Sequence, residues 1–518
     1  MTPASQPDPG VNPIVRNALA VSVSAKEYRF LHERAQQYPS IHGRLISPEK
    51  FEAITRSKNK YNEAAVRAAL RVFLGSGLSL KLLEFIAGRI TKAPTQEKVR
   101  TSLLRSPILR FSAALSLMLL LNRLLHRFFV KLRANLRTDE AKPFRERNPR
   151  ISKALTSRYA PAVGASLAGL ALGICTGNQL RLSIAIYTST RGLQALYNAM
   201  EEKRWLKNKP SWIGGWLLMP VSFAQLFHAF VFDREFVPNW MGPLILKLSP
   251  TYLHARPDTL PAEFHWPART EIVDSIAAIA KLRWPAFVSP ILHPAGSVLP
   301  AGLQSISAIT GPAHPSIPHL SCALLHPSSP SCGTALAHHL LTSASTLGRF
   351  FTSVAFAWSA LNVKGWLTQP ISMINSLSLQ ILTNTGVLSS SIGLAWGSVC
   401  LWNALLPRSV LPTQRFYLSG ALAGLPFAWL EIGNNGRHTA AFMSIFRTAV
   451  GSAWRAGVKR GLWKGWRGGE LWLFVLGWAT LGCVLDSRPN ALGAGTGKLL
   501  AWTRGEGWTV PLEKRRRR

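Results

Sequence analysis

Charge is absent from this chain over lengths that match a lipid bilayer. Residues 159–180, 210–232 and 365–407 contain no Asp, Glu, Lys or Arg. A hydrocarbon core of about 30 Å is crossed by about 20 apolar residues rising 1.5 Å each. The first two stretches therefore predict one spanning helix each, and the third has room for two. Shorter or interrupted candidates lie at residues 108–129, 182–200, 342–363, 416–432, 438–454 and 471–485. The expected fold class is all-α, a polytopic membrane helical bundle of roughly nine spans. Residues 64–90 are apolar at helical spacing but carry Arg67, Arg71, Lys81 and Glu84, which reads as an amphipathic helix on a membrane surface or as a soluble helix.

The charges that remain are mostly positive and lie between these stretches. Lys plus Arg number 60 and Asp plus Glu 24, a net charge of +36, yet charged residues make up 16% of the chain against a typical ~25%. With 47% apolar residues and 18 Trp, a disordered basic tail is excluded, because such tails need low hydrophobicity. A nucleic-acid partner is not expected either, since it would ask for cations interleaved over an exposed surface. Basic residues between Arg127 and Arg158, and then Lys203, Arg204, Lys207 and Lys209 two spans later, fall on one side of the bilayer, as the positive-inside rule expects. Continuing the count puts Lys364, Arg408, Arg415, Arg455, Lys459, Arg460, Lys464 and Arg467 on that side as well, whereas Lys514 and Arg515 to Arg518 break the pattern.

Five cysteines, Cys175, Cys322, Cys332, Cys400 and Cys483, are too few and too scattered for a disulfide scaffold. Residues 1–12 are polar and Pro-rich without the features of a secretory signal, so insertion is expected to use internal segments. Residues 284–348 carry no charged side chain and hold nine prolines between Pro285 and Pro330, which reads as an irregular loop. The expected organisation is an N-terminal soluble or amphipathic region (1–106), a first membrane half with a basic loop (107–283), a Pro/His/Ser-rich linker (284–341), a second membrane half (342–486) and a basic tail (487–518).

The two halves share a pattern. Leu167-Ala168-Gly169-Leu170 recurs as Leu422-Ala423-Gly424-Leu425, and with one residue inserted Gly177, Asn178, Arg181, Ala185 and Arg191 align with Gly433, Asn434, Arg437, Ala441 and Arg447. Each copy is a helical hairpin with a Gly-Asn turn, and the charge count gives both the same orientation, so the duplication is parallel. Gly169, Gly173 and Gly177 recur every fourth residue and predict a face where another helix backbone approaches closely; Gly164, Gly420 and Gly424 join them as packing positions.

Arg191 and Arg447 within their helices and Glu431 near a helix end would cost ~2.5–3.5 kcal/mol each facing lipid. They are candidates for a polar path, or for buried ion pairs, with Arg181 and Arg437 beside the turns at the interface. His319, Cys322, His326 and Cys332, followed by His338 and His339, offer metal ligands at a spacing that matches no standard zinc finger. A non-metal loop, a Cys322–Cys332 disulfide and a zinc site all stand, and no cofactor is expected. No catalytic motif is present, and Gly493, Gly495, Gly497 and Lys498 lack phosphate-loop spacing. His228, Asp233 and Glu235 form the one His/acid cluster that a lipid-modifying enzyme could use. The expectation is a non-enzymatic protein.

Trp212-Ile213-Gly214-Gly215-Trp216, Leu217-Leu218-Met219-Pro220, the run from Gln225 to Arg234 and Ser249-Pro250-Thr251-Tyr252, together with the Gly169 and Gly424 hairpins, His326-Pro327 and Ser331-Cys332, resemble the transmembrane protein 135 family and its fungal relatives. The likeness runs over most of residues 110–486. The resemblance implies a multi-pass peroxisomal or mitochondrial membrane protein concerned with organelle dynamics or lipid and metabolite handling. It also implies a distant similarity to the mitochondrial inner-membrane import translocases, no catalytic residues, and a cysteine-rich segment matched here by Cys322 and Cys332. A carrier, channel-like or scaffold role is expected, with the bilayer as partner, anionic lipids at the basic loops, and other membrane proteins or a second copy as further partners. A tethering protein acting through those basic loops is the alternative.

Overall fold

The computed structural model describes residues 12–36, 46–55, 60–90, 106–203, 205, 210, 212–258, 261, 265–294, 299–360, 363–431 and 438–505. Every regular element among them is helical, and one isolated bridge joins Ala286 to His319. In chain order the principal helices are α1 (Lys60–Ile90), α2 (Pro107–Asn135), α3 (Ala160–Ser166, continuing as a 3-10 helix Leu167–Ile174), α4 (Asn178–Glu202) and α5 (Leu218–Phe232). There follow α6 (Arg269–Lys281), α7 (Leu320–Leu325), α8 (Cys332–Ser359), α9 (Pro370–Leu405), α10 (Arg415–Gly424), α11 (Thr439–Lys459), α12 (Gly469–Ser487) and α13 (Ala494–Arg504).

The chain forms two compact units, and they do not follow the expected halves. One comprises Met1–Lys207 with Trp466–Arg518, the other Asn208–Gly465. In the first unit α2 packs between α1 and α3, α3 packs on α12, and α12 lies along α4. The C-terminal α13 returns to α2, where buried polar groups find partners. Arg123 donates to the Trp502 carbonyl (2.8 Å), Asn122 to the Thr503 carbonyl (3.2 Å) and Tyr61 to the Arg504 carbonyl (3.0 Å), while Arg504 pairs with Asp486. Satisfied in this way, these groups avoid the penalty of burial without a partner.

In the second unit α9 packs on α10, α10 on α5, and α5 on α11, with α8 along the other side of α9. The second half of α9, from Thr385 to Asn403, is buried on most of its circumference, with Val387, Ile392, Trp396, Val399 and Cys400 among the enclosed side chains. Trp396 stands edge-on to Phe227 and donates its indole N–H to Ser249 Oγ (2.9 Å). Trp284, held at φ 56° beyond the end of α6, donates to the Pro412 carbonyl (2.9 Å) and stacks on Phe416.

The charge-free, Pro-rich segment corrects one expectation. It is core here, not an irregular linker: Leu303, Ile306, Ile309, Ala313, Ile317 and all of α7 are buried against α6 and α9. Absence of charge reflects burial, and the prolines sit where helices start or stop, Pro300 before a 3-10 turn and Pro327 just after α7.

Residues 365–407 hold one 36-residue helix, α9, preceded by a short Val363–Thr368 turn of helix, where two spans were expected. The predicted span at 416–432 is broken after Gly424 by a 3-10 turn at Leu425–Phe427 that contains Pro426. Among the described residues four helices are long and apolar enough to cross a membrane: α2, α5 with its 3-10 lead-in (Gly215–Phe232), α9 and α12, two in each unit. The helix expected at 64–90 is α1; part of it packs on α2, and its far end exposes Leu82, Leu83, Phe85 and Ile86.

Candidate functional site

The glycines of the hairpins meet different neighbours from those their spacing predicts. Gly164 stands against the Phe129 ring, Gly169 against Phe474 and Val475, and Gly173 against Leu471, so α3 accommodates side chains of α2 and α12 and not a second backbone. Gly177 meets no other helix. Close backbone approach occurs instead at Gly420 and Gly424, where a Cβ would collide with the Phe223 carbonyl and with the backbone of Pro220 on α5. In the first unit the comparable crossing is Gly192 over Gly477, with the Ser189 amide 2.7 Å from where a Gly477 Cβ would lie. Gly477 was missed because no other glycine lies three or four residues from it in α12.

The candidate polar-path residues are divided between the units. Arg181 pairs with Glu470 (3.1 Å) at the start of α12. Arg191 donates to Gln194 Oε1 (2.7 Å) and to Thr496 Oγ1 (3.2 Å). Glu431 accepts from the Gly215 amide (2.9 Å) and the Trp216 amide, placing a carboxylate on the free N–H groups and positive dipole end of α5. Arg447 is half-buried on α11, and Arg437 lies outside the described residues.

His228 is buried and stacks on Tyr417 with ring centroids 3.9 Å apart. Its candidate acids are engaged elsewhere: Asp233 pairs with Arg460, and Glu235 with Lys459. The three do not converge on a common point.

The cysteines and histidines of the Pro-rich segment do converge. Sγ of Cys322, Cys332 and Cys400 and a ring nitrogen of His326 all lie within 4.8 Å of one another. Cys322 faces inward from the short α7, His326 follows as the residue that ends that helix just before Pro327, and Cys332 is the first residue of α8. Cys400 enters from the far end of α9. Cys322 Sγ and Cys332 Sγ are 3.9 Å apart, Cys400 Sγ and His326 Nε2 3.5 Å, and all are free thiols. The Ser329 carbonyl, 2.8 Å from His326 Nδ1, can only accept, so it holds a proton on Nδ1 and turns Nε2 toward the sulfurs.

Burial pulls the His326 imidazole down, but bonding to Cys322 and Cys332 outweighs it and raises the group to about 10. Of the four sequence candidates, His319 stands apart, its Nδ1 buried without a partner. Cys400 was missed because it lies in an apolar helix far along the chain.

No protein-family model, no curated protein and no solved structure matches the chain. A second feature of the same unit is an apolar groove of 370 Å³ between α8, α9 and the turn after α10, lined by Leu336, Leu340, Leu394, Leu425 and Trp429 with Ser390 as a hydroxyl. It presents no titratable group, so it suits hydrocarbon and offers nothing for acid–base chemistry.

Proposed function

We propose that this chain is a multi-pass organelle membrane protein that serves as a non-enzymatic scaffold, built on a parallel duplication, for lipid handling in a peroxisomal or mitochondrial membrane. The observation that carries the reading is the apolar inventory: each unit contributes two membrane-length helices. Both units also stack their helices in the same order, α2–α3–α12–α4 in one and α9–α10–α5–α11 in the other. On this reading α3 with its 3-10 continuation, α4, α8, α11 and the broken helical run from Arg415 to Glu431 complete the roughly nine spans. Exposed apolar side chains at the end of α8 and the start of α9, Phe350, Val354, Trp358, Ile371, Ile374 and Leu379 among them, suit lipid contact.

The partners of Arg181, Arg191 and Glu431 favour a scaffold over a carrier, because each charge is tied to a neighbouring helix rather than left facing a path. The resemblance to the transmembrane protein 135 family supports the organelle assignment, and the basic loops supply contacts for anionic lipid at ~1 kcal/mol per cation near the surface. The test is alkaline carbonate extraction of fractionated organelles, with protease protection of tags at Met1 and Arg518. Retention in the peroxisomal or mitochondrial membrane pellet is expected; release into the supernatant would overturn the membrane reading. Reconstitution then separates the roles, since a scaffold leaves vesicles sealed, whereas a solute leak abolished by Arg191→Ala would establish a carrier.

A further inference from the structure

We propose that Cys322, His326, Cys332 and Cys400 bind one zinc ion in a closed structural site that fastens the Pro-rich segment to α9. The donor set comes first. Three thiolates and an imidazole form one of the standard structural zinc combinations, and thiolate softness disfavours magnesium and calcium. Five cysteines are scattered over 518 residues, yet three of them meet the same imidazole nitrogen. One arrives on a helix separated from the others by the whole of α8.

The geometry agrees with that ion. Zn–S bonds of about 2.3 Å and Zn–N bonds of about 2.0 Å at tetrahedral angles give S–S edges of about 3.8 Å and S–N edges of about 3.5 Å. The observed Cys322–Cys332 and Cys400–His326 separations are 3.9 and 3.5 Å. The largest ligand separation, 4.8 Å, closes by small rotations about Cα–Cβ bonds. A disulfide needs an S–S distance of about 2.05 Å, far shorter than the separation here.

The Ser329 carbonyl is the second independent sign. It fixes the tautomer that leaves Nε2 free to ligate, the outer contact that ligating histidines ordinarily make. All four positions of a tetrahedron are taken by protein, so the site has no place for an activated water and its role is structural. Its effect is to hold three segments, α7, the N-terminus of α8 and the end of α9, in one register. Metal binding of this kind adds directly to folding free energy.

The experiment uses the full chain purified in detergent without chelator, with zinc measured by mass spectrometry of the metal. About one zinc per chain is expected. Cys322→Ser and Cys400→Ser should lose it, while Cys175→Ser and Cys483→Ser keep it. Exchange into Co(II) should give the thiolate charge-transfer and tetrahedral d–d bands, weakened in Cys332→Ser. Should the serine variants fail to fold, stripping the wild-type chain with a chelator and adding back zinc or magnesium gives the answer. Melting should fall on stripping and recover with zinc alone. Substoichiometric metal in the wild type, zinc retained by Cys400→Ser, an unchanged melt after stripping, or a mapped Cys322–Cys332 disulfide would each overturn the proposal.

Discussion

Whether a glycine in these helices tolerates a side chain depends on what faces its α-carbon. Gly420 faces the carbonyl of Phe223, a backbone atom that cannot rotate away, while Gly348 in α8 has nothing within 4 Å of a would-be Cβ. Gly420→Ala should therefore force α10 off α5 and lower stability by about 1–3 kcal/mol, the usual cost of overpacking. Gly348→Ala should be neutral or stabilising by up to about 1 kcal/mol, as alanine is the better helix former. Thermal unfolding of both variants in detergent reads the difference, and equal losses would show that the α5–α10 crossing is loose. Spacing offered Gly420 and Gly424 as packing positions, but it assigned the backbone crossing to Gly169, Gly173 and Gly177, which meet side chains or nothing. A glycine's periodicity records which way it faces and not what stands there. The same limit hid Cys400: three ligands of its cluster lie within a short stretch, but the fourth is joined to them by the fold and not by the chain.

At the scale of elements, the N-terminal helix Ala25–Ala35 is fastened to α1 by one carboxylate. Glu27 completes the Ser24 capping box at its own helix start and takes both guanidinium nitrogens of Arg71, each at 2.6 Å. Bonding to Arg71 lowers the Glu27 carboxyl from 4.5 to about 2. A depressed carboxylate contributes stability that is present above its unfolded value and disappears as pH falls through the folded one. Hydrogen exchange should therefore show Ala25–Ala35 opening between about pH 4.5 and pH 2, and Glu27→Gln should open it already at neutral pH. Identical exchange in the variant would mean that apolar contacts hold the helix. The pair is exposed, so the effect is confined to this helix and weakens with salt. Of the two partners, α1 was legible as a helix from its apolar period, and Ala25–Ala35 was not read. Residues 299–331 were not legible either, because proline and serine hide any period and the missing charge was read as a loop when it marked burial. Another unread signal was Trp212-x-Gly214-Gly215 ahead of α5, which recurs as Trp466-x-Gly468-Gly469 ahead of α12. On the proposed duplication it marks the third helix of each repeat.

For the whole molecule, those third helices matter most. α5 follows the first hairpin in sequence but packs with α10 and α11, the second hairpin; α12 follows the second hairpin but packs with α3 and α4. On the proposed duplication each repeat gives its last helix to the other; sequence halves and compact units disagree because α5 and α12 pack away from the helices that precede them in the chain. Truncation after Gly465 removes α12 and α13 and leaves residues 208–465 complete. Limited proteolysis of the truncated chain should spare that unit and degrade residues 107–203. Equal protection of both would show that α12 is dispensable to the first unit.

A ribosome delivers these parts in an awkward order. Domains ordinarily finish in the order of their synthesis, but here residues 1–207 form a unit with residues 466–518, which are made after the whole of the other unit. The second unit can close as soon as α11 has emerged, whereas α2, α3 and α4 must wait for α12, with Gly192 lacking its partner Gly477 until then. During that interval the glycine faces of the first hairpin lack the helix they pack on, so a chain that stops short of α12 loses the packing of its earliest helices.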